Sequence, residues 1–518
     1  MQDLRRLYEQ ITQDKGKPLD FWEVAALLEV YGIRDVDAKN EYGFENVFEL
    51  AKYLFERYAD SKTYPQKYLI DQEKIPPLKK RIVRHYFKGL AFAMPMLMQI
   101  VFTLVFGFAL WSNVDLDVTD ATVIALGTFM ALVVSGGPAQ IIGRKGLYYL
   151  KMGEKLLAGK MMQVLLVHSL VKIVAVALFV LLLNLLFNFF DGHLLYLFMA
   201  SFFLLAVLFV VSSVYYVFEE YEKIFLFYLL GVGLVFVMHY GAGLGFPDAQ
   251  FAALALLDIV FALFAWRKTV LLRRSSQSEG EVLPRASMLV YTLLPFYVYG
   301  VLYFFFLILD RLVAWNANSL NRGFFVWFDV TYEIGSDMAL VVLVLLMGAV
   351  EVIVYEFLYN LNTEVFRYSI DRYREFNRQI ERFYKKSLRM FIIYFLVSII
   401  VVSVLIFAIK ASVRYKLFPF GTEAFLVYGV AAVAFGFLTV GLLNTLVLFS
   451  FSRQEVVVRA IFFGLLTNFA TGVVLANMVD ARFAVFGLLA GSFVFWYTTQ
   501  KAMRRVLEKL DYYYYSAF

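Results

Sequence analysis

Long apolar runs are the dominant pattern of this chain. From Gly89 onward they follow one another at a length of about 20 residues, which is what an α-helix needs to cross about 30 Å of hydrocarbon. They lack the alternation with a polar face that a membrane β-barrel requires. The runs lie near 89-111, 121-143, 161-189, 194-218, 222-244, 248-266, 288-315, 333-358, 388-413, 423-451, 455-477 and 484-501. We therefore predict an all-α polytopic membrane protein with twelve transmembrane helices.

The composition fits a lipid solvent and narrows the chemistry. Of the 518 residues, 61% are hydrophobic and 17% are charged, against roughly 45–50% and 25% in ordinary soluble domains. Cysteine is absent, which excludes disulfides, thiolate metal sites and cysteine nucleophiles. No P-loop is present, and the four histidines lack metal-ligand spacing. We predict no catalytic residues, metal or cofactor, and the enzyme alternative is a membrane acyltransferase or polymerase that uses His168 or His239.

Charge divides the region before the first apolar run. Residues 1–60 carry 8 Lys/Arg and 13 Asp/Glu, whereas residues 61–88 carry 8 Lys/Arg and 2 Asp/Glu. Apolar residues recur at helical spacing between Phe21 and Tyr58, and no signal-peptide pattern precedes them. We predict a small acidic cytoplasmic helical domain at 1-62 and a basic juxtamembrane linker at 63-88. The domain is either a packing appendage or a docking module for a cytoplasmic partner.

Lysine and arginine are distributed unequally between the two sides of the predicted bundle. The flanks and loops on the side of both termini carry 29 of them, and the opposite loops carry five: Arg322, Lys410, Arg414, Lys416 and Arg482. Positive charge is retained on the cytoplasmic side of membrane proteins. Both termini, including the tail 502-518, are therefore predicted to be cytoplasmic. The net charge of +6 is explained by this bias, and no nucleic-acid partner is predicted.

A polar loop divides the twelve runs into two sets of six. Residues 267-287 are basic and Ser-rich, and they separate an N-lobe at 89-266 from a C-lobe at 288-501. The second run of each lobe contains a related sequence. GPAQIIGRKGLYYL from Gly137 and GAVEVIVYEFLYNL from Gly348 share five residues at identical spacing, 211 residues apart. These features predict an internal duplication, the plan of a secondary transporter with a central site between two halves.

The first run of each lobe contains one proline, Pro95 and Pro295. Proline removes a backbone hydrogen bond and permits a helix to bend. If the two prolines correspond by duplication, they are hinge candidates for alternating access. The alternative interpretation is a static kink that serves packing.

Ionisable side chains within the apolar runs are candidates for a lined cavity, because each costs at least about 2.5–3.5 kcal/mol at the membrane centre. Arg311 lies at a depth comparable with Glu333 to Asp337, which predicts an ion pair that is either an outer gate or a structural contact. Glu351 is the preferred substrate residue, and its counterpart in the first lobe is the neutral Gln140. A carboxylate there can bind sugar hydroxyls, attract a cation or couple to protons. The cavity candidates are Glu351, Asp310, Arg311, Glu356, Lys172, Asp258, Asp337, Gln140, Tyr299 and Tyr303.

Aromatic residues are dense in the seventh run. Tyr291, Tyr297, Tyr299 and Tyr303 precede Phe304 to Phe306, a set that suits stacking against sugar faces but also suits lipid contact or core packing. A second pattern lies at 364-389, where Phe366, Ile370, Tyr373, Ile380 and Phe383 form one helical stripe opposite Arg and Lys. We predict that this amphipathic segment lies on the cytoplasmic lipid surface or against a partner.

Residues 305 to 351, FFLILDRLVAWNANSLNRGFFVWFDVTYEIGSDMALVVLVLLMGAVE, resemble the corresponding region of PelG-type exopolysaccharide exporters. The similarity in plan extends over about 89 to 510, and the acidic region 1-62 is an extension beyond the short N-terminus usual in that family. The resemblance implies the twelve-helix fold of multidrug/toxic-compound extruders and lipid-linked oligosaccharide flippases. It also implies export of a Pel-like amino-sugar polymer across a bacterial inner membrane, with a cytoplasmic glycosyltransferase and other membrane subunits as partners.

Several functions remain open at the level of the sequence. The main hypothesis is a polysaccharide exporter whose intramembrane acids suit cationic amino sugars. A lipid-linked oligosaccharide flippase or a cation-coupled multidrug extruder would share the fold. A scaffold that anchors a synthase complex through 1-62 and 364-389 is the alternative without transport.

Overall fold

The computed structural model of this chain consists, in the part that it describes, of helices joined by loops. That part comprises residues 2–12, 18, 20–58, 76–275, 283–317, 326–365, 368, 372–411 and 420–516. Within these ranges the single extended pairing is an isolated bridge between Phe108 and Asn113. Several predicted features lie outside the described residues: linker positions 63–75, loop positions 276–282, Arg322, Phe366, Ile370, Arg414 and Lys416.

Within the described ranges, four short helices precede twelve long ones. The short helices are α1 (Gln2–Ile11), α2 (Phe21–Val30), α3 (Asp35–Asn40) and α4 (Val47–Tyr58). The N-lobe contains α5 (Leu78–Phe106), α6 (Val118–Lys151), α7 (Lys155–Phe187), α8 (Gly192–Val217), α9 (Tyr221–Phe236) and α10 (Phe246–Arg274). The C-lobe contains α11 (Ala286–Ala317), α12 (Val330–Glu364), α13 (Tyr373–Ala411), α14 (Thr422–Ser450), α15 (Gln454–Met478) and α16 (Val485–Glu508), and α17 (Leu510–Ser516) follows. A π-helical turn extends α9 at Val237–Gly241, and a 3₁₀ turn at Ala481–Ala484 precedes α16.

The twelve long helices confirm the predicted fold class. Among the described residues, twelve helices are long and apolar enough to cross a membrane. Most are longer than the apolar runs that predicted them. The 39 residues of α13, for example, correspond to about 58 Å of helix, nearly twice the hydrocarbon thickness. Residues 373–389 of the predicted amphipathic segment therefore belong to the same helix as the ninth span.

Aspartates at helix starts explain several boundaries. Asp117, Asp191 and Asp20 accept hydrogen bonds from the first-turn backbone N–H groups of α6, α8 and α2. An N-cap side chain satisfies one of the backbone donors that a helix start leaves unpaired. These helices therefore begin where the sequence supplies a capping carboxylate.

The chain forms two compact units. One consists of 1–85, 352–390 and 504–518, and the other of 86–351 and 391–503. In the first unit, α1, α2 and α4 enclose a small core that includes Leu28, Leu50 and Leu54. The same unit contains the hydrogen bond from Asn377 Nδ2 to Asp511 Oδ1, at 2.7 Å.

The second unit holds most of the membrane-spanning helices. The N-lobe has its own core, in which Tyr215 of α8 stacks on Phe261 of α10 with ring centroids 4.1 Å apart. Buried aromatic side chains of the C-lobe include Phe306, Phe435 and Phe495. Polar groups inside this unit are therefore surrounded by apolar packing, where an unpaired charge is costly.

Candidate functional site

A buried charge network joins α11 and α12 in the C-lobe. The Arg311 guanidinium forms an ion pair with Glu333 and a second one with Asp337, where Nη2 lies 2.9 Å from Oδ1. Trp315, one turn after Arg311, donates its indole N–H to Glu333 Oε1 at 3.0 Å. Arg311 and Glu333 are buried, whereas 41% of the Asp337 side chain is exposed. The pair predicted from helix depth is present, and the guanidinium binds two carboxylates.

Asp310 adds a third carboxylate beside this network. Tyr332 donates its hydroxyl to Asp310 Oδ2 at 2.6 Å. The other oxygen, Oδ1, is buried and has no hydrogen-bond partner among the described residues. Three carboxylates thus lie near one guanidinium, and one buried carboxylate oxygen is available for a further donor. Such a group can bind a cation, an ammonium group or a hydroxyl.

The N-lobe also contains a buried acidic residue, Asp258, which resembles the charge network of the C-lobe only in being acidic. It lies on α10 and is 6% exposed. Neither carboxylate oxygen has a hydrogen-bond partner within the described part of the chain. An ionised carboxylate in apolar packing requires a partner, whereas a protonated one does not carry that cost. Asp258 is therefore suited to exchange a proton or to bind a small cation.

The two lobes meet where α5 packs on α12, a contact that we call the first seam. Lys88 Nζ lies 3.3 Å from Glu351 Oε1 across this seam, and it donates to Glu219 Oε1 at 2.8 Å. A side chain at Gly89 would overlap the backbone of Met347 and Gly348. Glu351 is therefore a member of an ion pair between lobes, with 32% of its side chain exposed.

The α8–α9 turn supports the N-lobe end of this ion pair. Glu220, next to Glu219, forms ion pairs with Lys268 and Lys223. Burial opposes ionisation of Glu220, but hydrogen bonds from Lys268 and Lys223 outweigh it and lower the pKa of this carboxyl below its usual range. The turn therefore presents two carboxylates that are held by lysines.

The second seam is the packing of α6 on α11. A side chain at Gly300 would overlap the Gly136 backbone and Gln140, which shows how closely the helices approach. Nearer one end, Arg144 lies over the Phe296 ring at 4.9 Å, and toward the other end Trp315 stacks on Phe129 with centroids 5.2 Å apart. Small residues permit this approach in membrane helices.

The two seams are related by a constant offset along the sequence. In the first seam the Tyr86 ring packs on Gly348, and in the second the Tyr297 ring packs on Gly137. Each member of the second contact lies 211 residues from its equivalent in the first. The same offset relates Gly89 to Gly300 and Gln140 to Glu351. The packing therefore supports an internal duplication, with the two seams as equivalent contacts.

This offset corrects the predicted correspondence of the prolines. Pro95 and Pro295 are 200 residues apart, and the position equivalent to Pro95 is Phe306. Both prolines lie inside continuous helices, α5 and α11. They occupy different depths because the seam glycines, not the prolines, set the register of the repeat. A hinge role for either proline remains a prediction, without support from symmetry.

Lys172 lies at the second seam. Its ammonium is 4.2 Å from the centroid of the Tyr297 ring, and it pairs with no carboxylate among the described residues. A cation over an aromatic face is stabilised electrostatically, more so when water is excluded. The side chain therefore joins α7 of the N-lobe to α11 of the C-lobe without an ion pair.

Two predicted cavity tyrosines lie within packing contacts. Tyr299 is 3% exposed, stacks on Tyr303 with centroids 5.9 Å apart, and meets the Phe449 ring edge-on at 5.2 Å. In this arrangement the ring of Tyr299 is covered by protein. Tyr291 of the same helix is exposed at the helix start.

Glu356 belongs to the first unit. Arg81 Nη2 lies 2.8 Å from its Oε2, and the same guanidinium lies over the Tyr359 ring at 4.3 Å. Within the second unit, the structure thus brings Asp310, Arg311 and Asp337 together, places Gln140 and Lys172 at the second seam and Glu351 at the first seam, and leaves Asp258 in the N-lobe. Among the described residues, no cluster of His, Asp and Glu is arranged to hold a metal ion.

Sequence reasoning identified the pairing of Arg311 with Glu333 and Asp337, but it missed the uncharged donors to this network and the lysine that pairs with Glu351. Trp315 and Tyr332 donate to Glu333 and Asp310, and each lies within four residues of a predicted member of the network. Helical spacing could have found Trp315, which is four residues after Arg311 on the same face. Lys88 could not be found in this way, because its partner Glu351 lies in the other lobe.

No model of a protein family matches this chain, and no curated protein sequence is significantly similar to it. Solved structures of MATE transporters are similar in fold. A mutant of the Vibrio cholerae MATE transporter VcmN gives a TM-score of 0.59 at 13% identity, covering 84% of this chain and 98% of that one. An outward-facing multidrug resistance MATE transporter of the MOP superfamily gives 0.58 at 14%, with 84% and 97% covered. A MATE structure in the bent conformation gives 0.57 at 14%, with 86% and 98% covered.

These similarities show the fold of the chain. The twelve apolar helices in the described part of the chain, together with its likeness to MATE structures, make it a multi-pass membrane protein of the MATE fold. The finer resemblance to PelG-type exporters rests on residues 305 to 351 alone.

Proposed function

We propose that this chain is a transporter of the bacterial inner membrane that exports a Pel-like amino-sugar exopolysaccharide through a central cavity between its N-lobe and C-lobe. Both termini lie in the cytoplasm in this proposal, and the protein carries out transport without catalysis. The observation that carries the proposal is the network of Asp310, Glu333 and Asp337 around the single Arg311. The network lies within the stretch that resembles PelG-type exporters, in a fold that other proteins use for transport.

The excess of carboxylates suits a substrate with cationic and hydroxyl groups. Asp337 is partly exposed, and Asp310 has one oxygen without a partner among the described residues. An amino sugar supplies an ammonium group and hydroxyls, which are the donors that such oxygens accept. Arg311 limits the repulsion between the carboxylates, so the site persists when no substrate is bound.

The first seam supports a gating role at the cytoplasmic side. Lys88 joins Glu351 of the C-lobe to Glu219 of the N-lobe, and these charges are partly exposed. A partly exposed ion pair contributes little stability and can exchange its partners for water. In this proposal the pair opens when the lobes separate, and a cytoplasmic glycosyltransferase and other membrane subunits deliver the polymer.

The proposal is tested by measuring hexosamine-rich polymer in the medium and in the cytoplasm of four strains. One lacks the gene, one carries it back, and the other two carry the Asp310→Asn and the Glu455→Gln variants. Polymer should be lost from the medium without the gene and restored with it, while synthase activity in extracts is unchanged. Asp310→Asn should reduce secretion at normal protein level, and Glu455→Gln, an exposed carboxylate of α15, should not. Normal secretion without the gene would refute the proposal.

A second candidate is a cation-coupled multidrug extruder, which the description of one structural neighbour as a multidrug resistance transporter favours. Asp258 would then exchange the coupling ion, because its oxygens lack partners among the described residues. The same strains discriminate the two functions. If the protein is an extruder, deletion of its gene should change susceptibility to cationic dyes and leave the polymer unaltered. If it is a lipid-linked oligosaccharide flippase, deletion should leave lipid-linked repeats trapped in the inner leaflet.

A further inference from the structure

The N-lobe carries a groove on its surface between α8 and α10. Its volume is about 570 Å³, within the range of about 300–1,000 Å³ that is usual for small-molecule sites. Three alanines, Ala200, Ala252 and Ala255, leave the space open, and Phe203 forms part of a wall. The lining residues are mostly apolar and none of them is basic. The groove therefore suits an apolar chain rather than a polar solute.

The groove runs along the helices and not across them. Its α8 residues extend from Tyr196 to Leu204 at helical spacing, which corresponds to about 12 Å along the axis. That distance approaches the thickness of one leaflet of the hydrocarbon core, about 15 Å. Phe203 is partly exposed. A groove on a membrane-facing surface is filled by lipid, because the atoms that line an empty groove would lack van der Waals contacts on one side.

One end of the groove is polar and acidic. Tyr196 donates its hydroxyl to Asp248 Oδ1 at 3.0 Å, and its ring meets Phe251 edge-on at 5.8 Å. Tyr196 and Asp248 lie in the first two turns of α8 and α10, where a spanning helix enters the headgroup region. Asp248 therefore places a negative charge at the mouth of an apolar groove, held in position by Tyr196.

The C-lobe has a smaller groove that lacks this charge. Its volume is about 370 Å³, it lies between α11 and α15, and its polar lining residues are Asn316 and Asn477. Amides at a groove mouth do not discriminate between headgroups by charge. This groove is an internal control for lipid that binds through its acyl chain alone.

We propose that the α8–α10 groove binds a phospholipid with a primary-amine headgroup, with one acyl chain against Ala200, Ala252 and Ala255 and the ammonium group on Asp248. The amine donates N–H groups to a carboxylate, which a quaternary ammonium cannot do, and an anionic headgroup would be repelled. The site is independent of the buried network and of the proposed transport function.

The test is native mass spectrometry of the detergent-purified full chain, titrated with phosphatidylethanolamine, phosphatidylcholine and phosphatidylglycerol of identical acyl chains. Phosphatidylethanolamine should bind about threefold to tenfold more tightly than the other two, the worth of one charge-assisted contact at a partly exposed site. Glycerophosphoethanolamine, which has the headgroup without chains, should not bind. Equal binding of the three lipids would overturn the headgroup assignment, and binding of the soluble headgroup would overturn the role of the groove.

Variants separate the two parts of the site. Ala252→Phe fills the groove and should lower binding of every lipid, and Ala200→Phe on the facing helix repeats the test if the first variant is poorly folded. Asp248→Asn should remove the preference for the amine while chain binding remains. Ile259→Phe adds the same bulk at an exposed position of α10 outside the groove, and should change nothing. Unchanged lipid binding by both phenylalanine variants in the groove would refute the proposal.

Discussion

The two seams between the lobes have the same backbone contacts and different charges. In both, a glycine of one helix meets the backbone of the other, and a tyrosine ring covers a second glycine. Each of these residues in the first seam is 211 positions from its equivalent in the second seam. The first seam adds Lys88 and Glu351, whereas Tyr299 and Gln140 occupy the equivalent positions in the second. Both seams therefore depend on close packing of the two helices at glycines. The charges of the first seam are additional and point to a role in separating the lobes.

The second seam is also attached to the buried network. Trp315 stacks on Phe129 of α6 and donates its indole N–H to Glu333. The backbone N–H of Phe328 donates to Thr122 Oγ1 at the same end of α6. A change at the network is therefore expected to reach the second seam, whereas the first seam is expected to respond to changes of surface charge.

The largest effect is expected from Arg311→Ala, which leaves Glu333 buried without its ion pair. Removing one partner of a buried pair costs about 3–5 kcal/mol. If the Glu333 side chain moves as a result, Trp315 also loses the hydrogen bond from its indole N–H to Glu333. We expect a lower midpoint of thermal unfolding, measured by fluorescence size-exclusion after heating. Arg459→Ala removes an exposed arginine of α15 and should leave the midpoint unchanged. Equal midpoints for both variants would show that the network does not support the second seam.

Gln140→Glu places at the second seam the negative charge that Glu351 carries at the first. No lysine occupies the position equivalent to Lys88, which is Tyr299, and the two cations of the second seam, Arg144 and Lys172, are held over the Phe296 and Tyr297 rings. The new carboxylate would therefore lack the preformed ion pair that Glu351 has. Acidic groups in a spanning helix cost about 2.5–3.5 kcal/mol at the membrane centre. We expect reduced thermal stability at pH 8, with partial recovery at pH 5 as the carboxyl is protonated. A stability that does not depend on pH would indicate that water reaches the second seam.

Gly89→Val and Gly300→Val test whether the backbone contacts of the seams are equivalent. Each added side chain would overlap backbone of the facing helix, and overpacking costs about 1–3 kcal/mol. We expect similar losses of thermal stability for both variants. Gly143→Val on α6 is the matched control, because an added Cβ there has no atom within 4 Å among the described residues. Tolerance of one seam variant and not of the other would contradict the duplication.

The sequence predicted the parts of this molecule that depend on solvent and local spacing. The twelve spans follow from apolar length, and the pairing of Arg311 with Glu333 follows from the depth of two adjacent helices. The partner of Glu351 could not be predicted, because Lys88 is 263 residues away and lies at the start of another lobe. The correspondence of Pro95 with Pro295 was predicted wrongly because a proline is conspicuous in an apolar run. The glycines that set the register of the repeat are common in membrane helices and do not stand out.

The smallest effect on stability and the most specific effect on function are expected from Glu351→Gln. About a quarter of the Lys88 side chain and a third of the Glu351 side chain are exposed, and pairs of this kind contribute about 0.2–1 kcal/mol. Lys88 also keeps its contact with Glu219, so the lysine is not left unpaired. Thermal stability should therefore remain within 1 kcal/mol of the parent, while cysteines placed on α5 and α12 beside the pair become more accessible to a thiol reagent. If accessibility does not change, the first seam is held closed by its glycine packing alone, and its charges do not distinguish it from the second.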